Sequence, residues 1–320
     1  MPTGVPHQRR IELGELLPGE TSLAIAADIF VPQALREPPV VLFCLPGGGM
    51  NRGYFDLRGE GGFSFTDYMV ARGYIVVTMD HLGVGESSRP RDGFELTPDI
   101  LARANALAMD QLRRELVSGA YCAAPLARLS SVGVGHSMGA MLTAIQQAQY
   151  PSHRALAVLG FGTAGLAAAL SPEELQFAGD PAGTRANLVR LTRARGSDPY
   201  PQVQRSNQSR ELFAGSTADP RGVEALKAAR ATLLLTAGVF SMIPGSVGPE
   251  CARVCVPVFL AVGDRDMAGP PHALPAAFSG SSDVTLVVLE ATGHAHFIFP
   301  SREHLFARFA DWCEAVLRVD

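Results

Sequence analysis

The chain has 320 residues, 47% of them hydrophobic and 18% charged, with a formal net charge of -4 at pH 7. That balance describes a globular protein with a large buried core and gives no electrostatic reason to expect nucleic acid or an anionic membrane as a partner. No apolar run is long enough to span a bilayer, and the first residues lack the apolar segment of a secretory signal, so a cytoplasmic location is expected.

In chain order, RRIELGEL (9–16) and SLAIAADIFVP (22–32) alternate apolar and polar residues, which predicts two antiparallel strands with one wet face. From VVLFCL (40–45) onward the strands read as continuous apolar runs, the pattern of strands covered by helices on both faces. YIVVTM (74–79), SSVGVG (130–135), RALAVLG (154–160), VPVFLAVG (256–263) and VTLVVLE (284–290) share that style. Helical patterns fall between them, near 64–72, 98–117, 138–149, 271–278 and 302–318. Alternating strands and helices imply an α/β fold with a mostly parallel sheet and right-handed crossovers.

One region breaks the rhythm. Residues 162–250 are rich in Ala, Arg, Gly, Pro and Ser, with helical patches such as SPEELQFA, RANLVRLTRA and GVEALKAARATLLL. This is far too long for a simple crossover, and an inserted helical subdomain is expected there, with 1–161 and 251–320 forming the core. The five cysteines, Cys44, Cys122, Cys251, Cys255 and Cys313, are odd in number and lack zinc-ligand spacing, so buried thiols are expected rather than disulfides or a metal.

The chemistry centres on Gly135-His136-Ser137-Met138-Gly139, which follows a predicted strand and opens a predicted helix. A serine on such a turn is a candidate nucleophile, with the Met138 amide at the helix N-terminus beside it. Two other readings compete. Serine often caps a helix, and a glycine-rich loop after a strand can bind a dinucleotide, although the spacing here is not GxGxxG. A serine hydroxyl needs a base, a carboxylate that orients the base, and donors for a developing oxyanion.

Taken together, LPGGG (45–49), MDHLGVGES (79–87), GHSMG (135–139), VGDRD (262–266) and ATGHAHF (291–297) resemble the α/β-hydrolase superfamily along most of the chain. The resemblance implies an α/β-hydrolase fold with a helical cap and a Ser-Asp-His order of catalytic residues at the carboxyl edge of the sheet. It implies Ser137 as nucleophile, Asp266 as acid with Asp264 second, and His294 as base with His296 second. The oxyanion donors would be the amides of Met138 and Gly48, with Gly49 second; proline stands at position 46, where relatives often carry histidine. Asp80 is assigned to a structural turn. His136 either lines the pocket or packs beneath the turn, and Phe240 and Met242 either line an acyl pocket or seal the insertion onto the core. The implied reaction is hydrolysis of a carboxylic ester, with lactones, thioesters and activated amides behind it, on a small to medium hydrophobic small-molecule substrate, needing neither metal nor organic cofactor. An acyltransferase, a carbon–carbon bond hydrolase and a ligand-binding protein of low turnover are the alternatives.

Overall fold

A computed structural model describes residues 5–203 and 211–318. Eight strands form one sheet: β1 (His7–Glu12), β2 (Ala24–Phe30), β3 (Val40–Leu45), β4 (Ile75–Met79), β5 (Ser130–His136), β6 (Ala155–Leu159), β7 (Val258–Gly263) and β8 (Val284–Leu289). Their order is β1-β2-β4-β3-β5-β6-β7-β8. The first two are antiparallel to their neighbours, and β3 to β8 run parallel.

The apolar runs sort by the two-residue period of a strand. Val41, Phe43 and Leu45 enter the core on one side of the sheet, while Val40, Leu42 and Cys44 enter the core on the other. VTLVVLE differs from this pattern. β8 is the edge strand, and Val288 on it is exposed.

The flanking helices include α1 (Phe65–Val70), α2 (Pro98–Val117) and α3 (Met138–Gln149). The start of α2 is set by Thr97, whose side chain accepts from the Ile100 amide, and by Pro98 in the first turn. The stretch 271–278 is a 3-10 helix rather than an α-helix. Pro275, inside the stretch, removes an amide donor that an α-helical ladder would need there.

Between β6 and β7 the chain forms α4 (Pro172–Leu175), α5 (Pro181–Arg195), α6 (Pro220–Ala228), α7 (Leu235–Met242) and α8 (Gly248–Arg253). Leu188, Leu191, Leu235, Val239 and Phe240 from this region join the same apolar cluster as α2 and α3. Arg185 ties α5 to the neighbouring layer, pairing with Asp99 at 3.2 Å and Glu250 at 3.1 Å. α9 (Arg302–Leu317) closes the other face. All five cysteines are free thiols; Cys44, Cys251 and Cys313 are buried, but Cys255 is exposed, which departs from the expectation of buried thiols.

The strand order reverses between β3 and β5. The chain moves from β3 to β4 on one side, then crosses back to place β5 on the other. Leu45 pairs with Gly135 at the carboxyl ends of these strands, so the loop from Pro46 and the turn at Ser137 leave the sheet side by side. Open α/β sheets bind ligands at such a reversal.

Candidate active site

Ser137 sits between β5 and α3 with φ 54° and ψ -122°. A non-glycine residue in this region carries backbone strain of about 1–3 kcal/mol, which persists only where the surroundings enforce it. They do so here. The Ser137 amide donates to Leu159 O at 2.7 Å, and its carbonyl accepts from Ala140 and Met141. Gly139 permits the close approach of helix to sheet, since a Cβ there would lie 2.2 Å from Leu45 O. The Ser137 side chain makes no capping bond to α3.

The hydroxyl turns instead to the last loop of the sheet. Ser137 Oγ donates to His294 Nε2 at 2.8 Å. The other ring nitrogen, Nδ1, donates to Asp266 Oδ1 at 2.6 Å. His294 and Asp266 are almost fully enclosed, with side-chain exposures of 5% and 0%. Burial alone would raise the Asp266 pKa; the attraction of His294 and hydrogen bonds from His294 and His296 outweigh it and hold the carboxyl well below the usual range. A hydroxyl, an imidazole and a buried carboxylate thus form one hydrogen-bonded chain, an arrangement able to draw a proton from serine during attack.

A sequence model described as the alpha/beta hydrolase family matches residues 41–311. The chain belongs to the alpha/beta hydrolase family.

Solved structures of this fold include proline iminopeptidase from Mycobacterium smegmatis, at 18% identity and a TM-score of 0.64, covering 98% of this chain and 100% of that one. A peroxisomal alpha-beta-hydrolase of Saccharomyces cerevisiae aligns at 14% identity and a TM-score of 0.63, over 98% of this chain and 89% of that one. A thioesterase domain from the curacin biosynthetic pathway aligns at 17% identity and a TM-score of 0.59, over 96% and 100%. No curated protein matches the sequence.

The remaining site candidates of this alpha/beta hydrolase fall as follows. Asp264 does not reach His294; its two oxygens accept from the Ala291 and Thr292 amides at 3.0 Å each and close the turn after β8. His296 lies beside the chain, its Nε2 donating to the second oxygen of Asp266 at 2.7 Å. His136 is buried, and its Nε2 donates to the backbone carbonyl of His294 at 2.8 Å, so it braces the histidine loop from beneath. Burial, with the nearby His294 and His296, keeps the His136 pKa well below its ordinary value. Phe240 is wholly enclosed in the apolar core, with the Arg185 guanidinium 4.8 Å from its ring. Met242 is partly exposed and holds Leu166 through its carbonyl. Asp80 accepts from the Arg52 and Glu86 amides and from the Arg52 side chain, a turn-closing role.

The loop at Pro46–Met50 supplies candidate anion donors. Among the described residues, the amides of Gly48 and Met138 donate to no acceptor. Three residues outside the sequence-based candidates hold this loop. His81 bonds Pro46 O through Nε2 at 2.8 Å. From the stretch between β6 and β7, Ala231 donates to Gly49 O at 2.9 Å, and Ala229 accepts from the Asn51 amide at 2.8 Å. The same stretch also reaches the histidine loop, where Leu212 O and Phe213 O accept from the His294 and Ala295 amides at 2.8 and 2.9 Å. Leu233 lies over Gly48; a Cβ on that glycine would stand 2.7 Å from Leu233 Cδ1 and 3.5 Å from Met138 Sδ. His81 lies within the MDHLGVGES match, which was the only signal for it; the Ala231 and Leu212 contacts are made by backbone atoms and leave none. Among the described residues, no group of three His, Cys, Asp or Glu is placed to hold a metal ion, and no helix is long and apolar enough to cross a membrane.

Proposed function

We propose that this protein hydrolyses carboxylic esters through Ser137, His294 and Asp266, with an acyl-enzyme intermediate. The observation that carries the reading is the 2.8 Å bond from a strained, uncapped Ser137 hydroxyl to an imidazole that is itself fixed by a buried carboxylate. His294 takes the serine proton as Oγ attacks the carbonyl carbon. Asp266 holds the imidazole in the tautomer with hydrogen on Nδ1 and stabilises its positive charge. The Met138 and Gly48 amides receive the oxyanion, a contribution of roughly 3 kcal/mol per donor. His294 then protonates the departing alkoxide, and water repeats the attack to release the acid.

The stretch between β6 and β7 acts in this reading as a cap, because its Ala229 and Ala231 bond the glycine loop and its Leu212 and Phe213 bond the histidine loop. Leu233 and Met138 give the acyl side of the site an apolar wall, which supports a small to medium hydrophobic ester as substrate. Free thiols at all five cysteines fit a reducing compartment such as the cytoplasm.

A panel of p-nitrophenyl esters of rising acyl length tests the reading. Wild type is expected to turn over short and medium chains, and Ser137→Ala to abolish turnover. Leu233→Ala is expected to raise kcat/KM for the longer acyl chains by about tenfold, the scale of one or two methylenes in an apolar pocket. Equal turnover by wild type and Ser137→Ala would dispose of the mechanism.

A further inference from the structure

Asp266 is approached from two sides. Oδ1 accepts from His294 Nδ1 at 2.6 Å and from the Ala268 amide at 3.1 Å. Oδ2 accepts from His296 Nε2 at 2.7 Å. The His296 side chain has no solvent exposure, and neither has that of Asp266. Without His296, the second oxygen of a buried anion would lose this donor, and an unpaired buried charge is among the more expensive features a fold can carry. It could be relieved by rotation of the carboxylate or by its protonation, and either change disturbs the oxygen that His294 uses.

The hydrogen bonding of His296 is set by its surroundings. Its Nδ1 is buried and has no hydrogen-bond partner among the described residues. Nε2 is therefore the ring atom that bonds, and it faces Asp266. The titratable groups around it are Asp266, His294 at 6.5 Å between ring centroids, His136 at 5.5 Å, and Tyr54, which packs on His136 at 4.5 Å. Asp266 is the only anion in the group. The His296 amide also donates to the His294 carbonyl at 3.0 Å, so ring and backbone act on the same pair.

We propose that His296 is a positioning residue, a donor that locks the Asp266 carboxylate through Oδ2 so that Oδ1 stays directed at His294. The proposal rests on the Ser137–His294–Asp266 reading above. It assigns His296 no contact with substrate and no proton transfer.

The test compares His296→Leu, His296→Gln and His296→Asn with wild type and Ser137→Ala, using p-nitrophenyl butyrate. Leucine removes the donor, glutamine can present an N–H near the position of Nε2, and asparagine is polar but too short to reach Oδ2. The expected result is a kcat lower by about 10- to 100-fold in the Leu and Asn variants, the range typical when a group that orients another functional group is lost. KM should stay within about twofold, because the change does not touch bound substrate. Glutamine should restore the rate.

A second readout needs no turnover. The proton in the His294 Nδ1–Asp266 bond gives a downfield resonance, expected to shift or broaden in the Leu and Asn variants and to persist in the Gln variant and in Ser137→Ala. If His296→Leu does not fold, the Gln and Asn pair carries the comparison alone. Wild-type behaviour in both Gln and Asn variants, or equal losses in both, overturns the proposal. Activity surviving in Ser137→Ala strikes instead at the underlying hydrolase reading, and the resonance separates that failure from a failure of His296.

Discussion

The amide of Ala231 donates to the carbonyl of Gly49 at 2.9 Å, joining the stretch between β6 and β7 to the loop that carries the Gly48 amide. The neighbouring Asn51 amide returns a bond to Ala229 O, so the two segments are pinned at two points. Ala231→Pro deletes the donor and should loosen the loop without touching the triad. The expected loss in kcat is about tenfold, less than the roughly 100- to 1000-fold seen when an oxyanion donor is removed outright. Steady-state kinetics with a far-ultraviolet dichroism control checks it; an unchanged kcat would show that the clamp does not position the loop.

Asp264 and Asp266 stand two residues apart and do different work. Asp266→Asn should lower kcat by about 10,000-fold, because an amide favours the wrong imidazole tautomer. Asp264→Asn should instead weaken the turn at Ala291 and Thr292, lowering the unfolding midpoint while leaving most of kcat. Parallel kinetic and thermal measurements on the two variants decide the assignment. A larger kcat loss for Asp264→Asn would reverse it.

Gly160, at the end of β6, has φ 60°, and a Cβ there would lie 3.2 Å from Asp266 Oδ2 and 3.3 Å from the His294 ring. Gly160→Ala is expected to cost about 1–2 kcal/mol in urea unfolding from the left-handed backbone alone. It should also lower kcat, as the added methyl presses on both members of the dyad.

His153 is buried between Ser131 and Gln146, and burial lowers its pKa from 6.5 to about 3. The unfolded chain therefore takes up a proton below about pH 6.5 that the folded chain resists until near pH 3. The stability associated with this group is complete above pH 6.5 and declines through that window as acid is added. His153→Gln should flatten the decline by up to about 1.4 kcal/mol per pH unit, even if the variant starts less stable at neutral pH. Urea midpoints taken across the window test it; identical slopes would contradict it.

The parts of this fold that were legible in sequence are those where one local signal coincides with the global demand. VVLFCL reads as a doubly covered strand because alternate residues enter both cores. α2 begins where Thr97 and Pro98 say it should, and α3 begins at Met138 because the turn at Ser137 ends β5 there. Local signals fail where neighbours override them. An apolar run at 284–289 becomes the edge strand of the sheet, and Pro275 lies inside the predicted helix at 271–278, which forms a 3-10 helix instead. The site divides in the same way. Ser137, Asp266 and His294 stand in motifs, whereas the clamps at Gly49 and His294 are made by main-chain atoms of residues that share no pattern. The bracing role of His136 depends on where a distant carbonyl arrives, which its own neighbours in sequence do not announce.

The most direct test of the account is the mass of the intact protein after exposure to a fluorophosphonate, followed by mapping of the modified peptide. The account predicts one adduct, on Ser137, lost in Ser137→Ala and strongly slowed in His294→Ala. An adduct of equal yield in Ser137→Ala, or one mapped to a different serine in wild type, would contradict it.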